Sequence, residues 1–128
     1  MKLSDWIERY GRAWEQADEK SIVTLFTEDA LYRSSPFREP HVGHDQIRTY
    51  WRRATGRQHG ARVRMGRPLV DGDRVTVEWW TTMIEHGQEV TFPGCLLLRL
   101  GPDGRCRELR EYWHLAPGRH EPFAGWAG

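Results

Sequence analysis

The chain has 128 residues, a mass of 15.1 kDa and a formal charge of +1, from 19 Lys and Arg against 18 Asp and Glu. This is the length of one ordinary domain, and a near-neutral charge argues against a dedicated nucleic-acid binder, which usually carries a basic excess. No apolar run approaches the roughly 20 residues of a membrane span, the N-terminus lacks a signal-peptide core, and two cysteines do not make a disulfide framework, so a cytoplasmic protein with reduced thiols is expected.

Helical periodicity predicts two helices at the start of the chain. The first covers residues 4–17, where apolar side chains recur along one face and Ser4 caps the N-terminus. A short second helix follows residues 18–20. The apolar face of the first carries Trp6, Tyr10, Ala13, Trp14 and Ala17, and that of the second carries Ile22, Leu25 and Phe26. Both helices therefore have a face to bury against another layer.

A short strand, a loop and a third helix are predicted next. The strand covers residues 30–33, and the loop covers 34–42 because two prolines interrupt it. Gly43 introduces the third helix, and Gly56 is expected to be its C′ residue. The apolar face of this helix consists of Ile47, Tyr50, Trp51 and Ala54.

The second half of the chain alternates between apolar and polar residues, which indicates strands. Asp71-Gly72 is a hairpin signal that joins a strand ending near Val70 to a long strand. The three long strands are predicted over residues 74–85, 88–100 and 105–115, with turns at 86–87 and 101–104. The expected fold class is α+β, with three helices before a four-strand antiparallel meander.

The turn lengths fix an approximate register, and register decides which side chains share a face. A two-residue turn pairs Glu85 with Gln88, and a four-residue turn pairs Leu100 with Arg105. The more apolar face is expected to meet the helices. It consists of Val75, Val77, Trp79, Thr81, Met83, Phe92, Gly94, Leu96, Leu98, Leu109, Glu111 and Trp113.

One row of this face is unusual, because it combines Trp79, Gly94 and Glu111. Gly94 has no side chain, so a space is expected between the indole and the carboxylate. A carboxylate on an apolar wall is costly unless it is paired, hydrogen-bonded, hydrated or protonated. We predict that Glu111 is a general acid/base, and the alternative is a carboxylate anchored by a nearby Arg or Tyr. A β-bulge in either strand would move Glu111 to the other face.

The opposite face of the sheet mixes aromatic and charged side chains. Such a face suggests an isologous homodimer contact, and the alternative is a solvated surface. The residues expected in the contact are Trp80, Arg110, Tyr112 and His114.

Three stretches resemble the nuclear transport factor 2-like superfamily, and most of all its SnoaL-like polyketide-cyclase and ketosteroid-isomerase branch. They are RYGRAWEQADEKSIVTLFTEDALY, SSPFREPHVGHDQIRTYW and GPDGRCRELREYWH. Without a repeat or linker, the chain is expected to form a single domain over residues 1–128, and two prolines and three glycines predict an irregular tail over 116–128. The resemblance implies a cone-shaped, curved antiparallel sheet, mixed at its edge, packed on the three helices around a deep apolar pocket.

The resemblance further implies site residues. Tyr10 falls where the isomerases keep an oxyanion-hole tyrosine, so its hydroxyl is expected to donate into the pocket. The isomerase's catalytic aspartate corresponds to Ser35 here, and its second acid corresponds to Leu96, so steroid isomerisation by that constellation is not expected. A one-acid design is implied instead, in which Glu111 moves the proton while Tyr10 and Ser35 hold an oxygen.

These expectations define a hypothesis and two alternatives. The hypothesis is a cofactor-independent isomerase, dehydratase, hydratase or cyclase that acts on an apolar cyclic or polyketide-like molecule. The alternatives are a non-catalytic protein that binds a lipophilic ligand in the same pocket, and an interaction module. No metal site is expected, because the histidines lack acidic partners at ligand spacing. The expected pocket wall consists of Trp14, Phe26, Trp51, Trp79, Thr81, Met83, Leu96, Leu109 and Trp113.

Overall fold

The computed structural model describes residues 1–127, and within them the chain forms three helices and eight strands. The helices are α1 (Leu3–Glu15), α2 (Glu19–Val23) and α3 (Gly43–Thr55). The strands are β1 (Phe26–Arg33), β2 (His41–Val42), β3 (Gln58–Met65), β4 (Leu69–Asp71), β5 (Arg74–Glu85), β6 (Gln88–Leu100), β7 (Cys106–Trp113) and β8 (Ala116–Pro117).

The ends of α1 differ from the prediction. The helix begins at Leu3 after Lys2, and no side chain caps it, so the prediction of Ser4 as the N-cap is wrong. It ends at Glu15 because Ala17 adopts a left-handed conformation with φ 53°. The amide of Ala17 then bonds to the carbonyl of Trp14 and terminates the helix. Four residues of the predicted apolar face, Trp6, Tyr10, Ala13 and Trp14, are buried. The prediction is wrong for Ala17, which lies beyond the end of the helix and is exposed.

The segment after α1 shows how sheet pairing overrides a local helical pattern. The carboxylate of Asp18 accepts a hydrogen bond from the amide of Ser21 at 3.1 Å and so caps α2. That helix ends at Val23, and Phe26 begins β1 by pairing with Cys106 of β7. Leu25 and Phe26 are therefore not helical, and β1 is longer than the predicted strand at 30–33. The third helix begins where it was predicted, but Gly56 has φ −63° and is not a left-handed C′ residue.

The strands form a curved, unclosed sheet with the order β2-β1-β7-β6-β5-β3, which β4 and β8 extend at β5 and β6. Its ladders are antiparallel except for the parallel pair of β1 and β7, so the predicted mixed sheet is confirmed. Helix α1 lies against β3, and α3 lies against β1. The predicted α+β class is confirmed, with the core between the helices and one face of the sheet.

The register of the last hairpin differs from the prediction, yet the predicted face survives. Leu100 pairs with Cys106 rather than Arg105, because the turn is one residue longer than expected. A bulge at Arg107 then adds a second residue, so that Leu96 pairs with Glu111. Each one-residue change alone would turn Glu111 to the opposite face, and the two together restore it. The hairpin between β5 and β6 pairs Glu85 with Gln88 and Trp79 with Gly94, as predicted.

The predicted row of Trp79, Gly94 and Glu111 is therefore corrected. Gly94 pairs with Trp79 on one side and with Trp113 on the other, and Glu111 lies in the next inward row. The predicted space above Gly94 is not empty, because the indole of Trp79 covers it. A Cβ atom built on Gly94 would lie 2.7 Å from Cη2 of Trp79.

Apart from one two-residue strand, the tail is irregular, and it covers part of the outer face of the sheet. Residues Ala116–Pro117 form β8 on β6, and the indole of Trp80 donates to the carbonyl of His120 at 2.8 Å. The rings of Trp80 and Trp126 pack edge to face at 5.9 Å. Gly128, the last residue of the predicted tail, lies outside the described residues. The homodimer contact through Trp80, Arg110, Tyr112 and His114 stays a prediction.

Two further features concern the expected environment of the chain. Among residues 1–127, no helix combines the length and apolarity that a membrane crossing requires. Cys95 and Cys106 are free thiols, and burial raises the pKa of Cys106 to about 12.

Candidate active site

A cavity of about 480 Å³ lies between α3, the inner face of the sheet and the segment that follows β1. Its apolar wall consists of Trp14, Trp51, Trp79, Met83, Phe92 and Trp113. Its polar lining includes Ser34, Ser35, Tyr50 and Glu111, and Arg38, Arg57, Gln58 and Glu85 also border it. The volume falls within the range of small-molecule sites, and the lining joins an aromatic wall to several polar and charged groups.

The aromatic wall is held by edge-to-face packing. The ring of Trp14 lies 4.9 Å from that of Trp79 and 5.6 Å from that of Trp51. The Trp14 indole donates to Oε1 of Gln58 at 2.9 Å, which fixes its plane. The indole N–H groups of Trp51 and Trp79 are buried and have no acceptor among residues 1–127.

Glu111 is the carboxyl group of the cavity floor. It projects inward from β7 and exposes only 6% of its surface. The hydroxyls of Tyr32 on β1 and Tyr50 on α3 each donate to its Oε1 at 3.3 Å. Three elements that are distant in sequence therefore meet at one carboxylate oxygen.

The environment of Glu111 sets its protonation. Burial raises the pKa of Glu111 to about 7, because an ionised carboxylate loses hydration there, and the hydrogen bonds from Tyr32 and Tyr50 act in the opposite direction. Burial also raises the pKa of both tyrosines well above the usual value. Near neutral pH the tyrosines are therefore neutral donors, while the carboxyl group is divided between its two forms.

Tyr10, which was expected to donate into the pocket, lies behind the site. Its side chain is fully buried, stacks on Trp6 at 5.2 Å and does not line the cavity. Its hydroxyl lies 3.4 Å from that of Tyr32, so it contacts Glu111 only through Tyr32. Tyr10 is therefore not a direct hydrogen-bond donor in the cavity, because its hydroxyl pairs with the hydroxyl of Tyr32 instead.

The predicted wall is divided between the cavity and the solid core. The predicted residues that line the cavity are Trp14, Ser35, Trp51, Trp79, Met83, Glu111 and Trp113. The others are buried away from it, namely Phe26, Thr81, Leu96 and Leu109. Phe26 illustrates the cause, because it packs between Trp6 and Tyr32 at the filled end of the core.

Ser35 lines the cavity, but its hydroxyl also has a local role. The amide of Phe37 donates to its Oγ at 3.4 Å, an arrangement typical of a turn-forming serine. Nearby, the indole of Trp113 donates to the carbonyl of Ser34 at 3.3 Å and fastens this segment to β7.

The sequence missed several residues of the site. Tyr32 lies on β1, whose pairing with β7 has no local signal, and Tyr50 was expected only as part of a buried helix face. His41 lies outside the cavity lining but packs against Tyr50: its ring lies 4.6 Å from that of Tyr50, and burial lowers its pKa. Arg38 and Arg57 carry no motif, and only the tertiary structure brings them to the cavity.

A metal ion is held by several His, Cys, Asp or Glu side chains that converge on one point. Within residues 1–127, His, Cys, Asp and Glu side chains form no group of three or more arranged to hold a metal.

The sequence is similar to a known protein family. Residues 7–109 match the family model described as a SnoaL-like domain. No curated protein matches the sequence.

Solved structures of similar fold include three of note. The epoxide hydrolase/cyclase-like enzyme SalBIII, described for its role in pyran ring formation in polyether salinomycin, has a TM-score of 0.78 and 19% identity, over 90% of this chain and 95% of that one. A protein from Catenulispora acidiphila with a ketosteroid isomerase-like fold, in complex with trimethylamine, has a TM-score of 0.77 and 20% identity, over 87% and 86%. An LEH-like epoxide hydrolase from M. tuberculosis has a TM-score of 0.70 and 25% identity, over 86% and 80%.

Proposed function

We propose, because the chain belongs to the SnoaL-like domain family, that it is an acid–base enzyme acting on an apolar cyclic or polyketide-like molecule. The reaction is an isomerisation, a hydration or dehydration, or a ring closure, each of which requires a proton to be taken from one atom and given to another. The observation that supports this most is the buried carboxyl group of Glu111 at the cavity floor, with a pKa of about 7.

The protonation of Glu111 suits this role. A general acid/base works best when its pKa lies near the working pH, because both the proton donor and the proton acceptor are then populated. An ordinary surface glutamate is almost wholly ionised at pH 7 and donates poorly. Burial in an aromatic cavity therefore supports proton transfer in either direction.

The two tyrosines position the carboxyl group. Both hydroxyls donate to Oε1, and no donor among residues 1–127 bonds to Oε2. Oε2 is therefore the oxygen left for a proton of the substrate. When it takes that proton, the hydrogen bonds from Tyr32 and Tyr50 stay in place on Oε1, so the group does not need to reorient.

The aromatic wall supplies the rest of the site. Flat indole rings such as Trp51 and Trp79 offer apolar contact to a ring-bearing substrate and exclude water from Glu111. The Tyr50 hydroxyl borders the cavity and, because its proton is donated to Glu111, its oxygen can accept a hydrogen bond from a donor group of the substrate. Tyr50, rather than the predicted Tyr10, is then the tyrosine that stands beside the substrate.

A probe reaction tests the proposal without knowledge of the natural substrate. In the elimination of 5-nitrobenzisoxazole, a base removes the C3 proton as the N–O bond breaks, and the released nitrophenolate is coloured. We expect catalysis that rises with pH through about 7, where Glu111 ionises. Glu111→Gln should reduce the rate at least about 100-fold, the lower limit typical of a lost general base. The matched control is Glu89→Gln, at an exposed glutamate of β6.

The affinity for the probe, followed by tryptophan fluorescence, separates the possible outcomes. The proposal is supported if Glu111→Gln binds the probe as tightly as the wild type but no longer catalyses its elimination. Equal rates in the wild type and Glu111→Gln would show that Glu111 is not the base. Saturable binding with no elimination in either protein would favour the non-catalytic ligand-binding alternative.

A further inference from the structure

Two arginines border the cavity, one on each side of α3 in the sequence. Arg38 belongs to the loop between β1 and β2, and Arg57 lies between α3 and β3. Both are exposed, and neither has a carboxylate of residues 1–127 within 4.0 Å. Each can therefore offer its donors to a molecule at the cavity entrance.

The positive charges act on the same side of the cavity. Burial raises the pKa of Tyr50, and the charge of Arg57 opposes that rise. Burial lowers the pKa of His41, and the charges of Arg53 and Arg38 lower it further. The rings of Tyr50, which lines the cavity, and His41, which lies outside the lining, are 4.6 Å apart, so the fields of these arginines overlap beside Tyr50. A negative group placed there is stabilised by more than one guanidinium.

The acidic residues of the lining determine where an anion can sit. Glu111 occupies the floor, and its ionised form would repel an anion that entered deeply. Glu85 also borders the cavity and has no cation within 4.0 Å among residues 1–127, so it opposes the arginines to some extent. The favourable position is therefore the entrance beside Arg38 and Arg57, with the apolar part of the molecule against the tryptophans.

We propose that the ligand of this cavity is an amphipathic anion, whose ring system lies against the aromatic wall and whose carboxylate is bound at the entrance by Arg38 and Arg57. This inference rests on the proposed function only in that it uses the same cavity as the ligand site. The substrate is then an apolar carboxylic acid, and Arg38 and Arg57 orient it in the cavity. Guanidinium groups suit the task because they bind carboxylates through paired, charge-assisted hydrogen bonds.

The test uses two probes of nearly equal shape, 2-naphthoate and 2-naphthamide, titrated by calorimetry at pH 8. The wild type should bind the carboxylate about two- to fivefold more tightly than the amide, the advantage expected of an exposed charge pair. The double variant Arg38→Gln/Arg57→Gln should lose this advantage while its affinity for the amide stays unchanged. Arg9→Gln, at an exposed arginine of α1 outside the cavity lining, is the matched control and should keep it.

Three other outcomes have distinct meanings. Equal affinities for the two probes in the wild type would overturn the anion proposal and leave the proposed function intact. Retention of the carboxylate advantage by the double variant would also overturn it, because the arginines would then not be its source. Failure of both probes to bind would overturn the cavity as a ligand site, and with it both proposals.

Discussion

The hydroxyl of Tyr50 donates to Oε1 of Glu111 across 3.3 Å and thereby joins α3 to the inner face of the sheet at the cavity floor. The hydroxyl of Tyr32 approaches the same oxygen from β1 at the same distance. One carboxylate oxygen therefore receives two neutral donors while the group remains buried. Burial therefore sets the pKa of Glu111, and the stability of the folded protein depends in turn on whether Glu111 is ionised.

Glu111 should make the stability of the protein fall as the pH rises. The folded pKa is raised from 4.5 to about 7, so between these values the folded state keeps a proton that the unfolded state has released. The stabilisation is complete below the unfolded pKa and is lost as the pH passes the folded one. The loss from this group is about 3 kcal/mol, at 1.36 kcal/mol per pKa unit.

In Glu111→Gln the loss of stability with rising pH should disappear, because the neutral amide does not ionise and its oxygen accepts the same two hydrogen bonds. The variant should be more stable than the wild type by about 3 kcal/mol at pH 8 and should approach it near pH 4.5, as measured by urea unfolding. Glu89→Gln should follow the wild-type pH dependence. Parallel pH curves for the wild type and Glu111→Gln would show that Glu111 ionises normally in the folded state.

Removing one tyrosine hydroxyl should raise the pKa of Glu111 above 7. Each hydrogen bond stabilises the ionised carboxylate, so Tyr50→Phe or Tyr32→Phe makes ionisation less favourable. The pH midpoint of the 5-nitrobenzisoxazole reaction should move upward, as should the titration of the Glu111 side-chain carbon followed by NMR. Tyr10→Phe is the control, because Tyr10 contacts Tyr32 and not Glu111. A shift as large in Tyr10→Phe would indicate that Tyr10 acts directly on the site.

Gly94 should not tolerate even a methyl group. The Cβ atom of Gly94→Ala would overlap the indole of Trp79, which is wedged against Trp14 at 4.9 Å and has little room to move. The free energy of unfolding should decrease by about 1–3 kcal/mol, as is typical of overpacking. Gly101→Ala is the matched change, since its nearest contacts would begin at an ordinary 3.5 Å. Equal stability of the two variants would mean that the Trp79 ring moves freely.

The tail should contribute to stability through Trp126. Its ring packs on Trp80 at 5.9 Å, and the guanidinium of Arg64 lies 5.5 Å from the ring centre. Trp126→Ala should lower the free energy of unfolding by about 1–2 kcal/mol, which combines one aromatic pair with one exposed cation–π contact. Phe123→Ala, at a side chain that is 67% exposed, should have little effect. A Trp126→Ala variant as stable as the wild type would show that the tail does not hold to the sheet in solution.

The alternation of inward-facing and outward-facing side chains on β5 and β6 could be predicted from the sequence. A two-residue turn at 86–87 leaves a single pairing for the two strands, and a period of two then fixes the inner face. The inward position of Glu111 was predicted by the same means, although the predicted pairing of Leu100 with Arg105 was wrong. The longer turn and the bulge at Arg107 each shift the pairing by one residue, so that together they leave Glu111 on the predicted face. No local sequence pattern predicts either shift.

The tertiary structure alone decided what surrounds that carboxyl group. Tyr32 reaches it because β1 pairs in parallel with β7, and Tyr50 reaches it because α3 packs against β1, the neighbour of β7. Such contacts join residues far apart in the chain, and their energy comes from burying two layers together rather than from local preference. The sequence therefore determined which side chains face inward. Only the packed layers decided which of them meet Glu111 and which line the cavity.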